Sequence, residues 1–134
     1  MTDDPFSGSW TFNFSESKLD TPLPVSWTQR VGVTANEIVV TEEIVRTNNE
    51  RSTVRVWARF DGSEYPVQGS TLIETIAYER DDARTIRGVG RRSGLVVLSE
   101  TITVSPDGMR LTNVYTLQTG PAQVVRGVAV FERL

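Results

Sequence analysis

Neither cysteine nor histidine occurs anywhere in the 134 residues. Without cysteine there is no disulfide staple and no thiolate metal site, and the redox compartment leaves no mark. Without histidine, the commonest general base, the commonest metal ligand and the haem ligand of most globins are missing together. Any chemistry would have to run on carboxylates, tyrosine, arginine or serine, and neither a metal nor a cofactor is expected. No apolar run approaches the length of a membrane span. An excess of positive charge is lacking too: the formal net charge is −3, a poor balance for wrapping a polyanion. Lysine occurs once, at Lys18, so the 14 basic residues are almost all arginine, which reads as genomic bias more than as physics. The start, Met1-Thr2-Asp3-Asp4, has neither a basic stretch nor an apolar core and does not read as a signal peptide. A cytoplasmic protein is expected; a mature secreted form with an added methionine would look the same.

What is present is strand. The length fits a single domain, 1–134, able to bury a core without staples. Period-two alternation, rich in β-branched residues, marks about ten segments: 9–14, 25–33, 38–46, 53–60, 64–67, 72–79, 85–91, 95–104, 109–118 and 123–133. Gly, Pro, Asn and Asp punctuate them, as at Asn48-Asn49, Asp61-Gly62 and Ser105-Pro106-Asp107-Gly108. No helical-period segment of useful length appears; at most 15–19 makes one turn, which Pro22 and Pro24 stop. The connections are short enough for hairpins in succession, and such a meander leaves two raw edges unless it closes. The predicted fold is therefore all-β, an antiparallel up-and-down β-barrel of about 8–10 strands.

Alternation also assigns faces. Trp10, Phe12 and Phe14 share one side of the first strand. Val25, Trp27, Gln29, Val31 and Val33 share one side of the second. The stretch 38–46 is ambiguous, with Ile38, Val40, Glu42, Ile44 and Arg46 on one face and Val39, Thr41, Glu43 and Val45 on the other. Later strands turn inward Phe60, then Glu74 and Tyr78, then Val96, Leu98 and Glu100, then Met109, Asn113 and Tyr115, and finally Gly127, Ala129 and Phe131. Carboxylates in a dry core would be costly, whereas the same groups in a water-containing cavity are reasonable. Gly88, Gly90, Gly127 and Ala129 are expected to leave room along the wall. Arg55, Arg59, Arg87 and Arg91 fall on outer faces and read as a solvated surface paired with acids such as Glu43 and Glu79, not as a nucleic-acid stripe.

The two ends of the chain carry a resemblance. Phe6-Ser7-Gly8-Ser9-Trp10-Thr11-Phe12 followed by Ser15-Glu16, together with the closing Val130-Phe131-Glu132-Arg133-Leu134, resembles the intracellular fatty-acid-binding branch of the lipocalin-like (calycin) barrels. Three further motifs resemble a group of uncharacterised bacterial lipocalin-like proteins. The first is Gly8-Ser9-Trp10 with Asn13 and Ser17-Lys18. The second is Asp61-Gly62 with Tyr65-Pro66-Val67 and Gly69, and the third is Ser105 with Asp107-Gly108 and Leu111. The resemblance implies a small-molecule-binding barrel. It also marks departures: there is no room before the second strand for the helix-turn-helix lid of the fatty-acid binders. Their carboxylate-binding Arg-x-Tyr corresponds here to Ala129-Val130-Phe131, so Arg46 is the remaining inward candidate for an anion.

The function expected first is non-catalytic binding of a small hydrophobic or amphipathic molecule. Trp10, Phe12, Trp27, Phe60, Tyr78, Tyr115 and Phe131 would supply apolar surface; Gln29, Glu42, Arg46, Glu74, Glu100 and Asn113 would orient polar groups. A second reading is a small cyclase, isomerase or hydratase in which Glu100, Glu74 or Glu42 works with Tyr115. A third is an interaction barrel with a packed interior and a homodimer face at Trp57, Val128 and Val130. Nucleic acid is not expected as a partner.

Overall fold

The computed structural model describes residues 4–134. Met1, Thr2 and Asp3, part of the start read above as lacking signal-peptide character, lie outside them. Eleven strands follow one another: β1 (Gly8–Phe12), β2 (Lys18–Leu19), β3 (Ser26–Val33), β4 (Glu37–Val45), β5 (Arg51–Arg59), β6 (Tyr65–Gln68), β7 (Thr75–Asp82), β8 (Thr85–Arg92), β9 (Leu95–Val104), β10 (Arg110–Gly120) and β11 (Gln123–Arg133). There is no helix among the described residues, and so none long and apolar enough to cross a membrane.

Each strand from β3 to β11 pairs antiparallel with the next, and β1 lies between β3 and β11. The pairs Trp10↔Arg133 and Phe12↔Phe131 join first strand to last and close a ten-strand barrel without a free edge. The unexpected eleventh strand, β2, continues the line of β1 beside β11, pairing Leu19 with Gly127 and Lys18 with Val128. Between β1 and β2 the chain bends, and Ser17 repairs the ladder: its hydroxyl accepts from the Val130 amide (2.8 Å) and donates to the Asn13 carbonyl (2.7 Å). Asn13 in turn donates its side-chain amide to Glu132 (2.9 Å). The spaced Trp, Asn and Ser-Lys of the sequence motif are thus the closure of the barrel.

The other two motifs are turns. Tyr65 donates its hydroxyl to Asp61 (2.8 Å), pinning the β5–β6 connection. Ser105 donates to Asp107 (2.6 Å), which also caps the Met109 amide (3.0 Å). Gly69, just after β6, has φ +86°, and a Cβ there would land on the Thr53 carbonyl oxygen, so no other residue fits.

One pole of the barrel is plugged. Phe6, Trp10, Ile38, Ile86, Leu111 and Phe131 are fully buried. Trp10 donates its indole N–H to the Phe6 carbonyl (3.0 Å), and the Arg133 guanidinium lies 4.3 Å from the Trp10 ring centroid. Arg133 also donates to the carbonyls of Pro5, Ser7 and Gly108 at 2.7–2.8 Å, tying the two ends of the chain together. The opposite pole carries the β4–β5, β6–β7, β8–β9 and β10–β11 connections and the segment 20–25.

Candidate ligand cavity

Between the plug and the open pole lies a cavity of about 480 Å³. Cross-strand register sets its wall in levels, because directly opposed residues share a face. Near one side Gln29, Glu42 and Val54 stand in a row across β3, β4 and β5. Around the other side run Tyr78, Gly88, Glu100, Tyr115, Gly127 and Leu19. The floor includes Phe6, Ile38, Ile86 and Leu111; the rim includes Thr21, Pro22, Pro24, Arg46, Thr71 and Thr119.

The phase of 38–46 is now settled: Ile38, Val40, Glu42, Ile44 and Arg46 all line the cavity. So do Trp27, Gln29, Tyr78, Glu100, Asn113 and Tyr115. Other residues expected to reach the cavity lie elsewhere. Trp10 is in the plug. Phe12 and Phe131 point inward but stand behind Trp27: Phe12 stacks on it (5.4 Å between centroids, 22°) and Phe131 meets it edge-on (5.0 Å, 85°). Phe60 sits beside Arg80, whose guanidinium is 5.8 Å from the ring. Glu74 precedes β7, is exposed, and accepts from the Ser93 amide. Val25, Val96 and Met109, also phased inward above, are 55%, 48% and 53% exposed. For Val96 the cause is a bulge, since Gly90 pairs with Leu98 but Arg91 with Val96.

The small residues of the wall also differ from expectation. A Cβ on Gly88 would meet Glu100 Oε1 at 2.8 Å and the Tyr78 ring at 3.1 Å. A Cβ on Gly90 would meet Ile73 and Leu98. The space they leave is taken by neighbouring side chains rather than added to the hollow. On the outside, Arg87 pairs with Asp81 (2.8 Å) and Glu79 (3.0 Å), as a solvated face would.

Two polar nodes interrupt the apolar lining. At the first, Glu42 Oε1 accepts from the Trp27 indole and from Gln29 Nε2 (3.3 Å). Burial raises the Glu42 pKa, against the lowering by those two donors and the charge of Arg46. At the second, Glu100 Oε2 accepts from Asn113 Nδ2 (3.0 Å). Burial, opposed by that hydrogen bond and reinforced by the charge on Glu42, raises the Glu100 pKa to about 7. Burial, then Glu100 and Glu42, push the Tyr78 phenol well above its usual range, so it stays neutral. Tyr115 is raised as well, by burial first and then by Glu42. Asn113 is 6% exposed and its Oδ1 has no partner. Among the described residues there is no cluster of acidic side chains fit to hold a metal ion.

Sequence reasoning missed the rim. Segments 21–24 and 69–71 read as connections between strands, yet with Leu72 and Ile73 they form much of the mouth. The prolines Pro22 and Pro24, which rule out a helix there, were the available signal.

No family model and no curated protein matches the chain. Among solved structures it is similar to the zebrafish ileal bile acid-binding protein complexed with cholic acid. The TM-score is 0.59 with 11% identity, over 97% of this chain and 99% of that one. The likeness is one of fold: both chains align over nearly their whole length, and this one is a closed ten-strand antiparallel barrel of lipocalin-like form with no helix among the described residues.

Proposed function

We propose that the protein binds a small hydrophobic or amphipathic molecule inside the barrel. The cavity carries this reading: about 480 Å³ of hollow, mostly apolar in lining, with a few convergent polar groups. Small-molecule sites run from about 300 to 1,000 Å³ and have this make-up. That the similar zebrafish structure is complexed with cholic acid, an amphipathic molecule, is in keeping with it. Trp27, Tyr78 and Tyr115 would offer apolar surface, and Gln29, Glu42, Glu100 and Asn113 would receive the polar end, with Arg46 at the rim.

The experiment is titration with a neutral, environment-sensitive apolar dye, alongside mass spectrometry of natively purified protein. Saturable dye uptake near one per chain is expected, lost in a Val54→Phe variant that fills the hollow without unfolding the barrel. An absence of uptake by the wild type sinks the reading.

One feature favours a second reading, an enzyme: burial in the cavity wall raises the Glu100 pKa to about 7, where a carboxyl can give and take a proton. Conversion of a bound molecule by the wild type, lost in Glu100→Gln while binding persists, would establish it; an unchanged molecule after long incubation would remove it.

A further inference from the structure

We propose that the occupant is a cationic amphiphile, an amine on an apolar body, held with its ammonium group between Glu42, Glu100 and Asn113. The inference rests on the cavity-binding reading above and names the class of molecule.

Three observations carry it. First, the deep polar groups are short of donors. Glu42 spends Oε1 on Trp27 and Gln29, and Glu100 spends Oε2 on Asn113. Among the described residues, the second oxygen of each carboxylate has no protein donor within hydrogen-bond distance.

Second, Asn113 Oδ1 is buried and unpartnered, yet its residue lines the hollow. With Glu100 ionised, as it is when it faces a cation, only the amide N–H can donate to it, so the carbonyl is the atom left over. A buried acceptor without a donor is costly, and an ammonium carries three donors.

Third, charge is distributed unevenly with depth. Glu42 and Glu100 lie within the wall and feel each other's field. The single cation on the described lining, Arg46, is exposed at the rim and forms no ion pair with either. The contrary arrangement, an anionic head at Arg46 with its tail inward, would press hydrocarbon against both carboxylates and the orphan carbonyl. An ammonium in the same place neutralises the pair and gives donors to their two free oxygens, with the Asn113 carbonyl dipole beside it.

The test is competition against a bound neutral dye, N-phenyl-1-naphthylamine, by three molecules of one chain length: dodecylamine, dodecanol and dodecanoate. Dodecylamine at pH 7 is expected to displace the dye about tenfold more strongly than dodecanol, with dodecanoate the weakest. Glu100→Gln and Glu42→Gln should each reduce the amine's advantage over dodecanol. Equal or tighter binding of dodecanoate or dodecanol overturns the proposal, as does an amine preference untouched in both variants. The wild-type series stands even if a variant fails to fold. Because the dye needs no carboxylate, its failure to enter would overturn the cavity itself, whereas entry with the wrong preference overturns only the ligand class.

Discussion

The phenol ring of Tyr115 lies against the backbone of Gly127, its cross-strand partner, so closely that a Cβ at 127 would stand 2.5 Å from the hydroxyl oxygen. The absent side chain lets Tyr115 fold flat along the wall. In a Gly127→Ala variant the ring must swing into the hollow. The expected result is a loss of about 1–3 kcal/mol in stability and a clear drop in dye capacity, read by urea denaturation and titration on the same preparation. Full capacity in a stable variant would show that the ring has somewhere else to go.

The buried acid at position 100 makes stability depend on pH in a definite direction. Its pKa is raised in the fold, from 4.5 to about 7, so between these values the native state holds more protons than the unfolded chain. Stability from this group is therefore complete below about pH 4.5 and is lost as pH rises to about 7, by on the order of 3 kcal/mol. Denaturation midpoints across pH 5–7 should fall in the wild type and flatten in Glu100→Gln. A wild-type curve that rises over that window would contradict the burial of this carboxyl.

Arg133 holds both chain ends and the β9–β10 turn through its three carbonyl contacts. Arg133→Leu should cost about 2–4 kcal/mol, because the carbonyls lose a charged donor and Trp10 loses its cover. Hydrogen exchange should quicken first at β1 and β11. A change confined to the open pole would argue against this role.

Gly69→Ala should be among the most damaging single-methyl changes, at about 3 kcal/mol or more, since it combines a left-handed backbone with a collision on Thr53. Gly94, also left-handed at φ +77° but with nothing near a Cβ, is the control and should lose less, as thermal unfolding of the two variants would show.

The architecture was legible because closure follows from local rules: alternation, short turns and the need to bury edges. The side of the wall on which a residue lies was legible too, and Gln29, Glu42, Glu100, Asn113 and Tyr115 were phased correctly by it. Height along the barrel was not. Trp10, Phe12 and Phe131 face inward yet serve the plug and the buttress behind Trp27, because period two says nothing of the stagger between strands. Nor could alternation foresee the extra residue that throws Val96 outward, or that the space beside Gly88 would be filled by Glu100 and Tyr78. Those depend on register and on volumes supplied by distant strands.

The staves of this barrel are unequally fastened. The short β6 pairs with β5 at Arg55↔Gln68 and Val56↔Val67, and with β7 at Tyr65↔Ile76 and Pro66↔Thr75, where proline has no N–H to give; one further bond runs from the Val67 amide to the Glu74 carbonyl (2.9 Å). The loop that follows it borders the mouth. On the binding reading proposed above, a guest's dwell time would be set by how often this loosely paired stave parts from its neighbours, so that changes at β6 would alter the rate of exit more than the contacts made deep in the hollow.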